Sequence, residues 1–507
     1  MLKKELYEYI IVLIWDLTFC INKFERGAFM IGKKRHTYAS IQSLQVGVTG
    51  SRTLVVITFA NKESVMFLVD CGMYQGTVEE YEKNGSLDFK PKNLDFVILT
   101  HAHVDYCGQI PVLFSDGDSM PVYMTEDTMK IAEHLLDNTA KIVKDNPHPI
   151  FNYQDLERAK NEFRAVDESV WEKINLPGIP GELRMMFIRN EHIPGAASVC
   201  IEVAPENEQS FRLFFSGDYN ISNAFSSKTT QIPCEILDKP ISFFLMESTY
   251  GKTSKKHVEK GKFAVDVENA IGKGKSILAT AFAYGRMQNI LLVLKQMQES
   301  GTLSKKIPIY LDGGLGICLT MLFPSLKTVD VKDFLPDNLT FVTDRKILLS
   351  EKSQSEQKII VATSGMGNYG PAHDYIPAFI EKENWLIYIT GFAAEGSNAR
   401  KIVEAKNLEG VLVSGIMRIK RAEVCSTSEF SSHARKEELI DFVKGFKKIE
   451  FLAWNHGSSQ SKEIMAKQSY MLENVKNVGI IDGKTMYRVN KDGYVKEFQI
   501  CSCTTIK

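Results

Sequence analysis

The apolar run Phe96-Val97-Ile98-Leu99 leads directly into Thr100-His101-Ala102-His103-Val104-Asp105-Tyr106. A short, wholly apolar run reads as a buried strand, so the chain delivers two imidazoles and a carboxylate to the end of a sheet. His101 and His103 are two apart, which in extended backbone turns both side chains the same way. Imidazole nitrogen and carboxylate oxygen are the donors of a hydrolytic zinc site, which leaves one coordination position for water. Matching pieces recur downstream: His192 before Ile193-Pro194-Gly195, Asp218 in Phe215-Ser216-Gly217-Asp218-Tyr219, and His456 in Trp454-Asn455-His456-Gly457. A lone His-x-His can arise by chance on a surface. Such donors recurring at strand ends, in this order, are hard to explain without a metal, and the pattern predicts a metal-dependent hydrolase.

The rest of the chain alternates short β-rich runs with longer amphipathic ones, the signature of an α/β protein. Strands are expected near 54–59, 65–69, 95–100, 185–188, 198–203, 212–216 and 241–246, and a helix over 124–144 opening near Thr125. Past Gly251 a second alternation begins, with a helix over 257–271, a strand at 276–280, a helix over 286–298 and strands near 307–311, 358–363 and 385–390. Metal-type chemistry then returns at His433 and His456, so an α/β module is inserted into a metal-binding domain. The expected division is an extension over 1–29, a first domain part over 30–250, the insertion over 251–424 and a second part over 425–507. The apolar stretch at 9–15 is broken by Asp16 and is too short to span a bilayer. Met30 is the expected true start, and no membrane association is expected. Net charge is -1, so any polyanion must be held by a local groove rather than by bulk charge. Nine scattered cysteines argue against a disulfide framework and for reduced thiols in the cytoplasm.

Further motifs accompany the donors: Glu247-Ser248-Thr249-Tyr250-Gly251, Ala281-Phe282-Ala283-Tyr284-Gly285-Arg286, Ala362-Thr363-Ser364-Gly365-Met366, Ala394-Glu395-Gly396 and Phe430-Ser431-Ser432-His433-Ala434. With them the chain resembles the β-CASP ribonucleases of metallo-β-lactamase fold, the group of RNase J and the pre-mRNA 3′-end endonuclease. The resemblance runs from Asp70 to His456. It implies an α/β fold: an αββα metallo-β-lactamase sandwich carrying an inserted α/β β-CASP domain.

The resemblance also implies roles. One divalent cation would be held by His101, His103, His192 and Asp218, and a second by Asp105, the bridging Asp218 and His456. Asp70 would fix a ligand imidazole through its far nitrogen. Zinc is the expected metal, with manganese the alternative. A hydroxide between cations about 3.5–4 Å apart would attack the phosphodiester, leaving a 5′-phosphate and a 3′-hydroxyl. His433, oriented by Glu247, would protonate the leaving oxygen or position the phosphate. Tyr106 departs from the family's His-x-His-x-Asp-His pattern. A phenol coordinates only after losing a proton, so Tyr106 is not expected as a ligand, and the second site is expected to be weakened. Arg435 stands where the family has an acid after His-Ala, and a nearby anion is expected to offset its charge at a helix start.

The expected partner is single-stranded RNA, lying in a cleft between the two domains; a homodimer is left open. Ser364, Gly365, Met366, Gly367 and Asn368 offer amides and a hydroxyl for a phosphate. His373, Arg286, Arg400 and Lys401 are candidate backbone contacts. The competing readings are a DNA nuclease of the same group and a catalytically impaired RNA-binding scaffold, the latter favoured by Tyr106 and Arg435. A choice between endonuclease and 5′-exonuclease action does not follow from the sequence.

Overall fold

The computed structural model describes residues 36–499 apart from 45–46, 77, 145–148, 255–259 and 392. The extension expected over 1–29 and the start at Met30 lie outside the described residues. Two sheets form a sandwich. The first has eight strands in the order Gly493–Gln499, Thr485–Asn490, Tyr38–Ser43, Thr53–Thr58, Ser64–Val69, Phe96–Ile98, Val122–Thr125 and Phe163–Val166. The second has seven, in the order Val478–Ile480, Leu452–Asn455, Phe243–Glu247, Phe211–Phe215, Ala197–Pro205, Gly181–Arg189 and Glu172–Ile174. Their facing sides share one core, in which Val55, Ile57, Phe67, Phe96 and Ile98 meet Met185, Phe187, Ile201, Leu213 and Phe215. Phe67 and Phe96 stack with ring centroids 4.6 Å apart. Phe211–Phe215 and Phe243–Glu247 are buried at every position, as strands covered on both faces are; their two charged residues are paired, Arg212 with Glu202 at 2.6 Å and Glu247 with backbone amides.

The helix expected over 124–144 forms as Glu126–Val143, with the Thr125 hydroxyl accepting from the Thr128 amide at 3.2 Å. Ile131, Leu135, Leu136 and Val143 supply its buried stripe. Met124 and Thr125, expected to be helical, belong to the preceding strand, because a capping residue takes extended backbone.

The third sheet has six strands, Leu339–Phe341, Ile309–Asp312, Ile359–Ala362, Ser276–Thr280, Trp385–Ile389 and Glu423–Ser426. All its pairs are parallel. It lies in sequence between neighbouring strands of the second sheet, Phe243–Glu247 and Leu452–Asn455, which are themselves paired in parallel. The expected boundary after residue 424 falls inside Glu423–Ser426, which pairs with Trp385–Ile389 and so belongs to the inserted unit. The helix expected over 257–271 is described as Lys262–Gly272; its expected first residues lie in the 255–259 segment outside the description. Several hydrogen bonds clasp the insertion to the sandwich. Asp127 accepts hydrogen bonds from Lys327 N at 2.9 Å, Thr328 N at 2.7 Å and the Thr328 hydroxyl at 2.6 Å. Tyr284 donates its hydroxyl to the Pro194 carbonyl. Among the described residues no helix is long and apolar enough to cross a membrane.

Candidate metal centre

The candidate residues all follow strands that run the same way, so the fold collects them at one edge of the sandwich. Asp70 follows Ser64–Val69, and the His101–Asp105 segment follows Phe96–Ile98, its parallel neighbour. Opposite them, the parallel strands Phe211–Phe215, Phe243–Glu247 and Leu452–Asn455 end at Asp218, Glu247 and His456. His192 sits in the turn joining Gly181–Arg189 to Ala197–Pro205. Two glycines allow the close approach of these loops. A Cβ on Gly72 would lie 1.6 Å from the Asp105 carbonyl oxygen. Gly217 has a φ of +58°, and a Cβ there would meet Thr100 at 2.9 Å. The histidine loop is pinned by Cys71 N donating to the Tyr106 carbonyl and Ser51 N to that of Asp105, each at 2.8 Å.

Three imidazoles and one carboxylate converge. His103 Nδ1 lies 3.2 Å from His101 Nε2 and 3.1 Å from His192 Nε2. Asp218 Oδ2 lies 3.7 Å from His101 Nε2 and 3.6 Å from His192 Nε2. These values bracket about 3.3–3.4 Å, the edge of a tetrahedron whose arms have the zinc–ligand length of about 2.0–2.1 Å. The far nitrogens show which lone pairs point inward. His192 Nδ1 faces the Ser432 carbonyl at 2.8 Å and must carry the proton there, leaving Nε2 bare. The Thr100 hydroxyl donates to Asp70 Oδ1 at 3.0 Å, so its oxygen accepts from His101 Nδ1 at 3.2 Å, leaving His101 Nε2 bare. Two bare nitrogens thus converge with His103 Nδ1 and Asp218 Oδ2, so these four residues fit a divalent metal. Burial holds His101 and His192 well below the usual imidazole range and lowers His103 as well, which keeps the rings in the neutral form a metal requires.

Asp70 acts differently from expectation. Its Oδ1 accepts from the Thr100 amide at 2.8 Å and from the Thr100 hydroxyl. It therefore reaches the His101 ring through Thr100 rather than directly, because the Thr100 side chain fills the space between them.

Beside the cluster, His433 Nδ1 donates to Glu247 Oε1 at 3.0 Å, and its Nε2 lies 4.0 Å from Asp218 Oδ2. Glu247 is held as an acceptor by Tyr219 N at 3.0 Å and Thr249 N at 2.9 Å. Burial opposes the charged imidazole, but Glu247 and Asp218 outweigh it and raise His433. Arg435 caps the helix Lys436–Lys444. Its charge is offset by the Tyr250 ring, 5.3 Å below the guanidinium, and its amide donates to the Glu438 carboxylate at 3.0 Å.

The second expected set is arranged differently. Among the described residues, the donor groups able to hold a cation are His101, His103, His192 and Asp218, and separately Asp218, Glu247 and His433. Asp105, Asp218 and His456 do not form such a group. The Tyr106 hydroxyl donates to Asp218 Oδ1 at 2.6 Å, and His456 Nδ1 reaches the same oxygen at 2.9 Å. Burial, then the carboxylates of Asp218 and Asp105, push the Tyr106 phenol well above its usual range, so it stays a protonated donor.

The expected RNA contacts gather on the inserted unit, but several are already engaged. Asn398 Nδ2 donates to the Gly367 carbonyl and Asn368 Oδ1 accepts from the Asn398 amide, both at 2.8 Å. The Ala399 amide donates to the Met366 carbonyl at 3.0 Å. These bonds bring 365–368 to the start of the helix Asn398–Glu404, which carries Arg400 and Lys401. Ser364, however, directs both its amide and its hydroxyl to the Tyr369 carbonyl. Arg400 pairs with Glu404 at 2.5 Å. Arg286 is turned inward, donates to the Thr390 carbonyl and is lowered by burial, so it braces the sheet edge instead of presenting a free cation. His373 is half-exposed, 3.4 Å from Asp374. Thr100, Thr249 and Tyr284 are contributors that sequence reasoning missed. Thr249 Oγ1 lies 2.9 Å from His456 Nδ1, and the Tyr284 ring packs edge-on to His103 at 5.8 Å. Each lies in or beside a motif singled out above, which was the available signal.

Comparison with known proteins matches the Metallo-beta-lactamase superfamily model over residues 49–196, the Beta-Casp domain over 287–402 and a Zn-dependent metallo-hydrolase RNA specificity domain over 419–476. The chain belongs to the β-CASP group of the metallo-β-lactamase superfamily. A ribonuclease of Thermus thermophilus is 27% identical over 414 residues, covering 79% of this chain and 89% of that protein. An RNase J-like protein of Methanocaldococcus jannaschii is 27% identical over 399 residues, covering 77% and 86%. A transcription termination factor of Methanosarcina mazei is 27% identical over 440 residues, covering 80% of this chain and 65% of its own length. The matched segments include His101, His103 and His192 in the superfamily model and His433 and His456 in the RNA specificity domain. With this family and this donor set, the chain is a divalent-metal hydrolase.

Proposed function

We propose that this protein is a metal-dependent ribonuclease that hydrolyses phosphodiester bonds of single-stranded RNA, leaving a 5′-phosphate and a 3′-hydroxyl. The observation that carries the reading is the convergence of His101, His103, His192 and Asp218 beside the His433–Glu247 pair. The match of residues 419–476 to an RNA specificity domain and the ribonuclease names of the relatives support RNA as the substrate. Zinc suits three imidazoles and one carboxylate best, and manganese is the alternative.

When bound, the metal supplies Lewis-acid polarisation of the phosphoryl oxygen and lowers the pKa of an attacking water. The protein's own groups do the rest. Asp70, through Thr100, and the Ser432 carbonyl hold the His101 and His192 rings in the tautomer that turns Nε2 inward. His433 keeps Nδ1–H on Glu247, which leaves Nε2 facing the site to carry the proton that the departing 3′-oxygen requires. Glu247 and Asp218 favour the protonated ring, so the acid is available near neutral pH. Asp105 lines the site beside His456, with Oδ2 3.6 Å from His456 Nε2. Hydrolysis by water does not use the sugar 2′-hydroxyl, so preference for RNA is assigned to the cleft. The gathering of 365–368 and the helix Asn398–Glu404 supports that part of the inserted unit as one wall. Cytoplasmic action accords with the cysteine usage.

The test is cleavage of end-labelled single-stranded RNA and DNA by the zinc-loaded chain, alongside Asp105→Ala. Cutting of RNA with 5′-phosphate ends, reduced in the variant, is expected. Tight RNA binding without cutting would replace the reading with an RNA-binding scaffold, and preferential cutting of DNA would replace it with a DNA nuclease.

A further inference from the structure

We propose that this chain holds one resident catalytic cation, at His101, His103, His192 and Asp218, and that Tyr106 stands in the place where a second would need a ligand. The inference rests on the metal-dependent reading above and deepens it.

A carboxylate that bridges two cations must offer one oxygen to each. In Asp218, Oδ2 faces His101 and His192 and belongs to the first set. Oδ1 is the oxygen left for a second cation, and it already accepts the Tyr106 hydroxyl at 2.6 Å and faces His456 Nδ1 at 2.9 Å. The phenol is buried. Its backbone is fixed by the Cys71 amide on the Tyr106 carbonyl and by the Tyr106 amide on the His103 carbonyl. The hydroxyl cannot swing away without leaving the core cluster that its ring helps fill. What remains of the second expected set is Asp105 Oδ2 and His456 Nε2, 3.6 Å apart, the latter buried without a hydrogen-bond partner; the other donor group, Asp218, Glu247 and His433, is already committed, since Glu247 accepts from His433 Nδ1, Tyr219 N and Thr249 N. Two donors fall short of the three protein ligands that hold a catalytic zinc.

Tyr106 thereby does for Asp218 what a second cation would otherwise do: it satisfies Oδ1 and fixes the carboxylate plane, so that Oδ2 points at the first site. It acts through Asp218 and is a positioning residue. Replacement by histidine would exchange a hydroxyl donor for a nitrogen lone pair at the same wall of the site. With Asp105, His456 and the freed Asp218 Oδ1, that nitrogen would complete four donors.

The experiment counts metal on the full-length chain equilibrated with zinc alone, then freed of loose ions by gel filtration. One zinc per chain is expected for the wild type, two for Tyr106→His and none for His101→Ala, each variant checked for folding by circular dichroism. Two zinc ions in the wild type, or one in both the wild type and a folded Tyr106→His, would overturn the proposal. A manganese-loaded wild type gives a second readout that needs no variant: its electron paramagnetic resonance spectrum should be that of isolated ions, and a spin-coupled pair would contradict the inference. Failure here is separable from failure of the proposed function. Two cations with RNA cleavage sink only this inference, whereas a wild type that retains no cation sinks both.

Discussion

Replacing Glu247 by glutamine tests the proton-donor role with almost no change of volume. Glu247 accepts from Tyr219 N, Thr249 N and His433 Nδ1 at 2.9–3.0 Å, and it is buried at the end of its strand. A hydrogen bond to a charged partner is worth about 1.5–3 kcal/mol and a neutral one about 0.5–1.5 kcal/mol. Losing the charge therefore removes roughly 1–1.5 kcal/mol of support for the protonated His433 ring. At about 1.4 kcal/mol per factor of ten, cleavage on the alkaline side should fall about five- to tenfold. The sign follows from the chemistry. The active form carries the proton, and the raised His433 keeps it to higher pH, so activity is lost as pH rises through that value. In Glu247→Gln the alkaline limb should move toward acid, while the rate at the acid end of the plateau changes less. The assay is single-turnover cleavage of labelled RNA across neutral pH, with metal content measured in parallel. A limb that stays in place while the whole profile drops would refute the idea that Glu247 sets the protonation of His433.

His433→Ala should lower kcat about 10²–10⁴-fold, the usual contribution of a positioned general acid, with metal content unchanged; loss of metal instead would assign His433 to coordination. Asp127→Ala strips three hydrogen bonds from the 327–328 segment and leaves two backbone amides unpaired. It should destabilise the chain by roughly 3 kcal/mol in urea unfolding, with faster hydrogen exchange around Thr328; a loss below about 1 kcal/mol would show that the clasp is dispensable. Chelation should abolish cleavage and lower Tm, since a ligand at a hundred times its Kd stabilises the folded state by about 2.7 kcal/mol. Zinc should restore both, and an unchanged Tm would count against a preformed site.

Much of the site was legible because its chemistry is local. His101, His103, His192, Asp218, Glu247, His433 and His456 each sit just past, or at the end of, a β-rich run or before a helix, and apolar periodicity marks such positions from the chain alone. The insertion was legible for the same reason: strand and helix alternation continues between Gly251 and the return of histidine chemistry at His433. Partners are harder to read. Ser364, Arg286 and Arg400 are polar residues in family-like motifs, yet the fold commits them to the Tyr369 carbonyl, the Thr390 carbonyl and Glu404.

The sequence by itself determined which donors the chain owns, their order, and that Tyr106 breaks the expected pattern. Only the tertiary structure decided what that break does. Residue identity states that a phenol is present; whether its proton is retained depends on burial and on Asp218, a carboxylate brought from a distant part of the chain, acting with the neighbouring Asp105. Likewise, the tautomers of His101 and His192 are set by Thr100 and by the Ser432 carbonyl, the second of them 240 residues away. Lone-pair direction arises from such long-range contacts, and a linear pattern carries residue types but not directions.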